Sequence, residues 1–188
     1  MNNGTEAGVQ SVNVIITEDE SIPSVTLSAS AASVVEDGGT SQIIATLSHA
    51  STQDMTVSLS TSGSASQVAD YTLSNTIVIS AGSEQNSVTL TSVNDTIYEG
   101  DETATISISG VNNATEAGVQ IVDVEITEDE TIPSVTLSAS AASVVEDGGT
   151  SQIIATLSHA STQDVTVSLS TSGSASQVAD YTLSNTIV

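Results

Sequence analysis

The sequence predicts an all-β protein, an immunoglobulin-like antiparallel β-sandwich of about seven strands that is present in tandem repeat. The apolar residues are mainly Val, Ile, Leu and Ala beside abundant Ser and Thr, with 3 Tyr and no Phe or Trp, a composition typical of short strands. The alternating apolar runs are bounded by Gly, Ser, Asn or Asp, and none has a helical period. Residues 2–78 recur as residues 112–188, which indicates a tandem array.

The repeat divides the chain into three units. The two copies are offset by 110 residues and differ at six of 77 aligned positions, namely 4, 11, 13, 15, 21 and 55. Pro23 and Pro133 follow Thr-Glu-Asp-Glu at equivalent points and mark the junctions. We therefore expect residues 1–20 to be the C-terminal strand of a preceding repeat, 21–130 a complete repeat, and 131–188 the N-terminal half of a following repeat. We expect the chain to be a piece of a longer array.

Seven short strands, A to G, are predicted in the complete repeat. In strand C, for example, Met55, Val57 and Leu59 alternate with polar residues, as in a strand with one buried face. Seven strands in about 110 residues are typical of an immunoglobulin-like sandwich, here without the cysteine pair and tryptophan of antibody domains. The predicted strands are A near 24–35, B at 42–47, C at 55–60, D near 76–79, E near 87–93, F at 103–109 and G at 119–126.

The charge excludes several classes of partner. The chain has 23 Asp and Glu and no Lys or Arg, which gives a net charge of -23. Such a charge opposes binding to nucleic acid and to anionic membrane surfaces. No apolar stretch approaches the roughly 20 residues that a membrane span needs, and without cysteine there is no disulfide or thiolate metal site. We expect neither nucleic acid nor direct membrane insertion.

The acidic residues of the complete repeat are sorted by connection. Because consecutive strands in such a sandwich mostly run in opposite directions, the ends of strands A, C, E and G lie at one pole. The opposite pole receives Asp54, Glu84 and Glu116, and strand G itself contains Asp123 and Glu125. The first pole receives the remaining ten of the fifteen acidic residues, which are Glu36, Asp37, Asp70, Asp95, Glu99, Asp101, Glu102, Glu128, Asp129 and Glu130.

The densest group of acidic residues lies after strand E. Asp95, Glu99, Asp101 and Glu102 fall within eight residues, and two carboxylates about 4 Å apart repel by roughly 4 kcal/mol at an effective dielectric near 20. No Lys or Arg exists to offset this repulsion, so the positive charge must come from solution. Ligands that are all oxygen favour a hard cation such as Ca²⁺.

At these residues the sequence resembles the Calx-β (Calx-beta) family, the repeat known from sodium–calcium exchangers and from long bacterial surface proteins. The segments 69–71, 76–82, 94–102 and 127–130 follow the order and spacing of that family through the whole unit. The resemblance implies a calcium site. The ligands that it implies are Glu36, Asp70, Asp95, Glu99, Glu102, Glu128, Asp129 and Glu130, with the Ile97 carbonyl as an addition.

The sequence departs from the family pattern at two points. Asn94 stands where calcium-binding members often have a second aspartate, and residues 127–130 contain two glutamates around one aspartate. The number of ions and their affinity therefore stay open. We expect Asp37 and Asp101 to be solvated or to lie behind the ligands rather than among them.

The function expected from these features is a non-catalytic, calcium-binding structural repeat. It would stiffen a long extracellular or cell-surface, adhesin-like protein, with neighbouring repeats and calcium ions as its partners. Two alternatives stay open: a calcium-sensing regulatory module coupled to a transporter or other domain, and an acidic, salt-adapted spacer without specific metal binding. A sugar- or ice-binding module would need a flat Thr-rich or aromatic face, and the abundance of Thr is the only feature of the sequence that supports it.

Two other motifs do not support a different chemistry. The loop that starts at Asp95 has Gly100 at the sixth position of an EF-hand, but Ile97 and Ile106 occupy its third and twelfth positions. The two His residues follow strand B without a Gly-x-Ser-x-Gly motif. We expect exposed turn histidines and no enzyme.

Overall fold

The computed structural model describes residues 3–5 and 7–188 and confirms the predicted all-β, immunoglobulin-like sandwich. Ten strands lie in residues 21–130, and no helix in the described part of the chain is long and apolar enough to cross a membrane. The strands are β1 (Ser24–Ala29), β2 (Ser33–Val35), β3 (Thr40–Leu47), β4 (Met55–Gly63), β5 (Tyr71–Thr72), β6 (Thr76–Ile79), β7 (Gln85–Ser92), β8 (Glu102–Asn112), β9 (Thr115–Glu116) and β10 (Ile121–Thr127).

The ten strands form two five-stranded sheets. One sheet has the order β5-β7-β3-β1-β9, and the other has the order β2-β10-β8-β4-β6. Most neighbours are antiparallel, whereas β1 pairs with β9 and β2 pairs with β10 in parallel. The inward faces of both sheets are apolar: Ile43, Val57, Ile106 and Val124 are each 0% exposed. Burial of these alternating side chains holds the two sheets together.

The predicted strand A is two strands, which corrects the sequence-based expectation. β1 pairs with β3 in the first sheet, and β2 crosses to the second sheet and pairs with β10. The crossing is held by Ser41, which is 1% exposed and whose hydroxyl donates to the Ala31 carbonyl at 2.8 Å and accepts from the Ala31 amide at 3.1 Å. The alternation of residues 24–35 does not reveal this change of sheet. As a result, β2 ends beside the end of β10.

Two short strands, β5 and β9, were not predicted. Each has two residues, which is too short to produce an alternating pattern in the sequence. β5 pairs with β7, and β9 pairs with β1 at the edge of the first sheet. Tyr71, the first residue of β5, is 1% exposed and belongs to the core.

Residues 131–188 repeat the N-terminal strands of the complete unit without their sandwich. Four strands, β11 (Val135–Ala139), β12 (Ile153–Leu157), β13 (Val167–Ser168) and β14 (Thr186–Ile187), form two separate two-stranded sheets. No residue after 130 is buried. Ile153 is 36% exposed, whereas its counterpart Ile43 is 0% exposed.

Candidate metal centre

Four segments meet at one pole of the sandwich and bring acidic residues together. The parallel pairing of β2 with β10 continues past the strands, because the Glu36 amide donates to the Thr127 carbonyl at 3.0 Å. Glu36 therefore lies beside Glu128. The loop between β7 and β8 and the turn before β5 complete the pole. The structure thus brings together acidic side chains that follow the predicted strands A, C, E and G.

The acidic side chains of this pole form three overlapping clusters. Within each cluster, one carboxylate oxygen of every residue lies within 4.8 Å of the corresponding oxygens of the other residues. Glu36 and Glu99 each belong to two clusters, so the three are continuous. The clusters are Glu36 with Glu128, Asp129 and Glu130; Glu36 with Asp95 and Glu99; and Asp70 with Glu99 and Glu102.

The loop of residues 94–101 is shaped by hydrogen bonds to its own acidic groups. The Ile97 amide donates to Asp95 Oδ1 at 2.7 Å. The amides of Glu99 and Gly100 both donate to Glu128 Oε2, at 2.5 and 2.6 Å. Gly100 has a φ of 83°, a conformation that glycine adopts at little cost. The loop thus wraps around one carboxylate from the end of β10.

Asp70 is presented by a turn with an unusual backbone. Val68 has a φ of 86°, and Val178, its counterpart in the following unit, has a φ of 79°, although β-branched residues rarely adopt positive φ. The Asp70 side chain closes the turn by accepting from the Ser66 amide at 2.5 Å through Oδ2. Since both copies have the same conformation, the local sequence itself determines this turn.

Glu128 is strongly stabilised as an anion. Burial opposes its ionisation, but the hydrogen bonds from the Gly100 and Glu99 amides outweigh burial and lower the pKa of Glu128 to about 2. This carboxylate is therefore charged at every physiological pH. Its charge then acts on the carboxyl groups around it.

Four glutamates of the centre have raised pKa values. Burial, and then the charge of Glu128, raise the pKa of Glu36 to about 8. Burial and the hydrogen bond with Asp70 raise the pKa of Glu102 to about 7. The hydrogen bond with Glu128, and then burial, raise the pKa of Glu130 to about 7. Burial and the charge of Asp70 raise the pKa of Glu99. Because their pKa values are raised, these groups keep their protons to a higher pH than an ordinary glutamate does, which limits their mutual repulsion.

The donor set has the chemistry of a site for a hard divalent cation. All of its side-chain donors are carboxylate oxygens, and the chain has no Lys or Arg to pair with them. Glu130 Oε2 is shielded from solvent and has no hydrogen-bond partner among the described residues. A buried carboxylate oxygen without a partner is costly. A cation coordinated by several carboxylates would remove that cost.

Comparison with known sequences and structures agrees with this architecture. The sequence profile of the Calx-beta domain matches residues 18–130 and again residues 128–188. The chain belongs to the Calx-beta family. No curated protein sequence matches the chain at a significant level.

Solved Calx domains have the same fold as the complete Calx-beta repeat. The apo form of the Calx CBD1 domain superposes with a TM-score of 0.51 at 18% identity, and the match covers 58% of this chain and 100% of that one. CBD12 from CALX1.2 gives a TM-score of 0.51 at 16% identity, over 61% of this chain and 48% of that one. At these identities the comparison concerns the fold alone.

The remaining acidic residues of the Calx-beta repeat lie outside the three clusters. Asp37 accepts a hydrogen bond from Asn94 Nδ2 at 2.9 Å through Oδ1, and Asp101 Oδ1 accepts from the Glu128 amide at 3.0 Å. Both therefore support the loops of the centre. At the opposite pole, Asp54 Oδ1 accepts from the Ala81 amide at 2.8 Å. The eight side chains that the resemblance implies all belong to the clusters, while Ile97 contributes its amide to Asp95.

Sequence reasoning missed the backbone donors of the centre. The amides of Glu99 and Gly100 fix Glu128, and nothing in the type of residue predicts an amide contact. Gly100 was the available signal, because a glycine inside an acidic loop indicates a backbone turn.

His49 makes more contacts than the exposed turn histidine that was predicted. Its side chain is half-buried, its Nδ1 lies 3.0 Å from Ser48 Oγ, and its Nε2 lies 2.9 Å from the Ser21 carbonyl.

Proposed function

We propose that this chain is a non-catalytic, calcium-binding structural repeat. The ions would be held at the pole described above by Glu36, Asp70, Asp95, Glu99, Glu102, Glu128, Asp129 and Glu130, with the Ile97 carbonyl as a further oxygen. The domain organisation proposed with it is a complete repeat at 21–130 between the end of one repeat at 1–20 and the start of another at 131–188. Membership of the Calx-beta family supports both statements.

The observation that carries this proposal is the gathering of eight carboxylates at one pole of a chain without cationic side chains. Burial, and then the charges of the neighbouring carboxylates, raise the pKa of Glu36 to about 8. A divalent cation offsets the repulsion among these charges directly, because it prefers carboxylate oxygens and replaces protons as the counter-charge. The unpartnered Glu130 Oε2 is an oxygen that such an ion would use.

The position of the site suggests a structural role. Residues 128–130 directly follow β10 and directly precede the next unit, with Pro133 close by. Calcium bound there would tie the end of one repeat to its own loops and restrict the joint to the next repeat. A string of such joints would make a stiff spacer, and we propose an extracellular or cell-surface, adhesin-like protein as its setting.

Thermal unfolding of the full chain tests the function. Calcium at 100 times its dissociation constant adds about 2.7 kcal/mol per site, which corresponds to roughly 10–20 °C for a domain of this size. We expect a rise of that order when calcium is added to a calcium-free sample. The double variant Asp95→Asn with Glu99→Gln should lose most of the rise. An unchanged melting temperature on calcium addition would contradict the proposal.

A matched control separates a specific site from general charge screening. Asp54→Asn with Glu84→Gln removes the same two charges from the opposite pole. This variant should keep the full calcium response. If both double variants lose the response equally, or if an equal ionic strength of sodium chloride reproduces it, the acidic, salt-adapted spacer is the better description.

A regulatory calcium sensor is the second candidate. The loop of residues 94–101 contacts the following unit through Tyr98, whose amide donates to the Ala160 carbonyl at 3.0 Å, so a change at the metal site could reach a neighbouring domain. The near identity of the repeats favours the spacer, because 71 of 77 aligned positions are the same. A sensor needs one divergent copy beside the domain it controls, and a spacer needs many similar ones.

A further inference from the structure

The following unit touches the complete repeat through one short segment. Residues 160–163, with the sequence Ala-Ser-Thr-Gln, lie against the backbone of Tyr98 in the acidic loop. Tyr98 and Ser161 form an isolated parallel β-bridge. We call residues 160–163 the docking segment.

The contact is made of three hydrogen bonds to the loop backbone. The Tyr98 amide donates to the Ala160 carbonyl at 3.0 Å, and the Thr162 amide donates to the Tyr98 carbonyl at 3.1 Å. Gln163 Nε2 donates to the Glu99 carbonyl at 3.0 Å. The docking segment has no charged residue, so it approaches an acidic loop without adding repulsion. Recognition therefore depends on the loop backbone and not on pairing of charges.

An identical segment exists in the complete repeat. Residues 50–53 are again Ala-Ser-Thr-Gln and have the same internal hydrogen bond: the Gln53 amide donates to Ser51 Oγ at 3.2 Å, as the Gln163 amide donates to Ser161 Oγ at 3.0 Å. This hydrogen bond is therefore present both in the copy that holds a loop and in the copy that holds none. A preformed surface loses little conformational entropy when it binds.

The copy at residues 50–53 borders an open cleft. The cleft has a volume of about 510 Å³ and is lined by residues that include Glu20, Pro23, His49 and Asn113. The Thr162 amide donates to the Tyr98 carbonyl. Its counterpart, the Thr52 amide, donates to no backbone carbonyl within the part of the chain that the structure describes. The cleft lies beside the junction between residues 1–20 and the complete repeat.

We propose that residues 50–53 bind the loop of a preceding Calx-beta repeat that corresponds to residues 97–100. The occupant is identified by the structure itself, because the same four residues one repeat later already hold that loop. The inference rests on the proposed function in one respect, that repeats of this type follow one another in one protein. Each joint then pairs the acidic pole of one repeat with the uncharged turn of the next, in one direction along the array.

Cysteine cross-linking tests the proposal in a chain that has no cysteine of its own. A copy of residues 21–130 is placed directly before residue 21 of the chain, so that a complete repeat precedes the segment 50–53. Tyr98→Cys in the added copy is combined with Ser51→Cys in the original chain. These positions correspond to the bridge partners Tyr98 and Ser161. We expect an intramolecular disulfide under mild oxidation.

Two control pairs of cysteines are compared with the test pair. Tyr98→Cys with Ser161→Cys in the original chain is the positive control, and the test pair should match its yield. Tyr98→Cys in the added copy with Thr26→Cys, an exposed position on β1, should give little disulfide. Gln53→Ala should lower the yield of the test pair, because it removes the side-chain donor that corresponds to Gln163. The same change at Gln163 should lower the yield of the positive control.

Other outcomes would overturn the inference. A test pair that forms no disulfide while the positive control does would show that residues 50–53 do not bind the preceding loop. A disulfide that forms only between separate molecules would make a second copy the occupant. The calcium response of the melting temperature is measured on the cysteine-free chain, so an absent calcium response there together with an intact cross-link in the test pair would defeat the proposed function and leave the docking surface standing.

Discussion

The carboxyl group of Glu36 connects the fold to the proposed site. Glu36 is only 6% exposed, because the pairing of β2 with β10 carries it directly beside Glu128. Burial and the charge of Glu128 raise its pKa to about 8. At neutral pH and without metal, most molecules therefore hold a proton on Glu36. Any cation that binds there must displace this proton.

Substitution of Glu36 by Gln should stabilise the calcium-free chain and weaken its binding of calcium. Gln has nearly the same shape but no charge, so Glu36→Gln should raise the melting temperature of the calcium-free chain at pH 8. It should weaken calcium binding by about tenfold or more, which is about 1.4 kcal/mol or more. Calorimetric titration and thermal unfolding measure the two effects. The control is Glu146→Gln, the same position in residues 131–188, where the side chain is exposed and neither quantity should change.

The raised pKa values also predict how stability depends on pH. Glu36, Glu102 and Glu130 have folded-state pKa values of about 8, 7 and 7 against an ordinary value of 4.5. For an acid with a raised pKa, the stabilising contribution is complete below pH 4.5 and is lost as the pH rises through the folded-state value. The melting temperature of the calcium-free chain should therefore fall between pH 5 and pH 8.

Calcium should reverse this dependence. A bound ion stabilises the ionised carboxylates, so with saturating calcium the fall between pH 5 and pH 8 should largely disappear. Calcium binding at pH 6 should release protons, which calorimetry in buffers of different ionisation enthalpy detects. Glu128, whose pKa is lowered to about 2, contributes stability above pH 4.5 that is lost only in strong acid. A calcium-free chain that becomes more stable from pH 5 to pH 8 would contradict the assignment.

The membership of the acidic clusters could be predicted from the sequence, but the state of each group could not. The alternation of strand direction is enough to place Glu36, Asp70, Asp95 and Glu128 at one pole. The low pKa of Glu128 comes from the amides of Glu99 and Gly100, and their direction depends on the φ of a single glycine. Because every residue except proline has a backbone amide, the residue types do not show which amides donate to a carboxylate.

At the scale of elements, the chain contains the same strand sequences in two environments. Val124 and Ile126 in β10 are 0% and 4% exposed, whereas Val14 and Ile16, which occupy the same repeat positions, are 81% and 93% exposed and belong to no strand. β10 has β8 and β2 as neighbours. Strand propensity alone does not form a strand, because the sheet supplies the hydrogen bonds and the buried face.

This internal comparison supplies a prediction about the core. Ile43 and Ile153 have the same sequence context but are 0% and 36% exposed. Ile43→Ala should lower the free energy of unfolding by about 2–5 kcal/mol, because it leaves a cavity between the sheets. Ile153→Ala should cost less than about 1 kcal/mol, as expected near a surface. Urea unfolding measures both variants, and equal losses would mean that residues 131–188 have a core of their own.

The strand positions could be predicted well wherever alternation was long enough. Strand D was predicted near 76–79 and β6 spans Thr76–Ile79, and most of the other long strands differ from prediction by one to three residues at their ends. The division of strand A could not be predicted, because it depends on the pairing of β2 with β10 and on hydrogen bonds between Ser41 and Ala31, and neither affects the alternation. β5 and β9, with two residues each, depend on their partner strands.

At the scale of the whole molecule, charge and packing are distributed differently. Among the described residues, the eighteen of the buried hydrophobic core lie between Val25 and Ile126, whereas acidic residues occur in all three units. Residues 7–20 and 131–188 contain no buried residue. The free energy that opposes unfolding should therefore come mainly from residues 21–130.

Limited proteolysis should reveal this distribution. Trypsin has no site, because the chain lacks Lys and Arg, so elastase, which cleaves after small apolar residues, is the suitable probe. Early cleavage should fall in residues 7–20, where Val12 and Val14 are 88% and 81% exposed, and beyond residue 130. A fragment close to 21–130 should accumulate, since cleavage inside it requires the sandwich to open.

Calcium should change the lifetime of that fragment more than the sites of early cleavage. Ions at the acidic pole would stabilise the complete repeat and not the exposed ends, so calcium should prolong the 21–130 fragment while residues 7–20 are lost at the same rate. The Asp95→Asn, Glu99→Gln variant should lose this protection and the Asp54→Asn, Glu84→Gln variant should keep it. Mass spectrometry of timed samples identifies the fragments. Cleavage within residues 40–127 before either end is removed would contradict the proposed domain organisation.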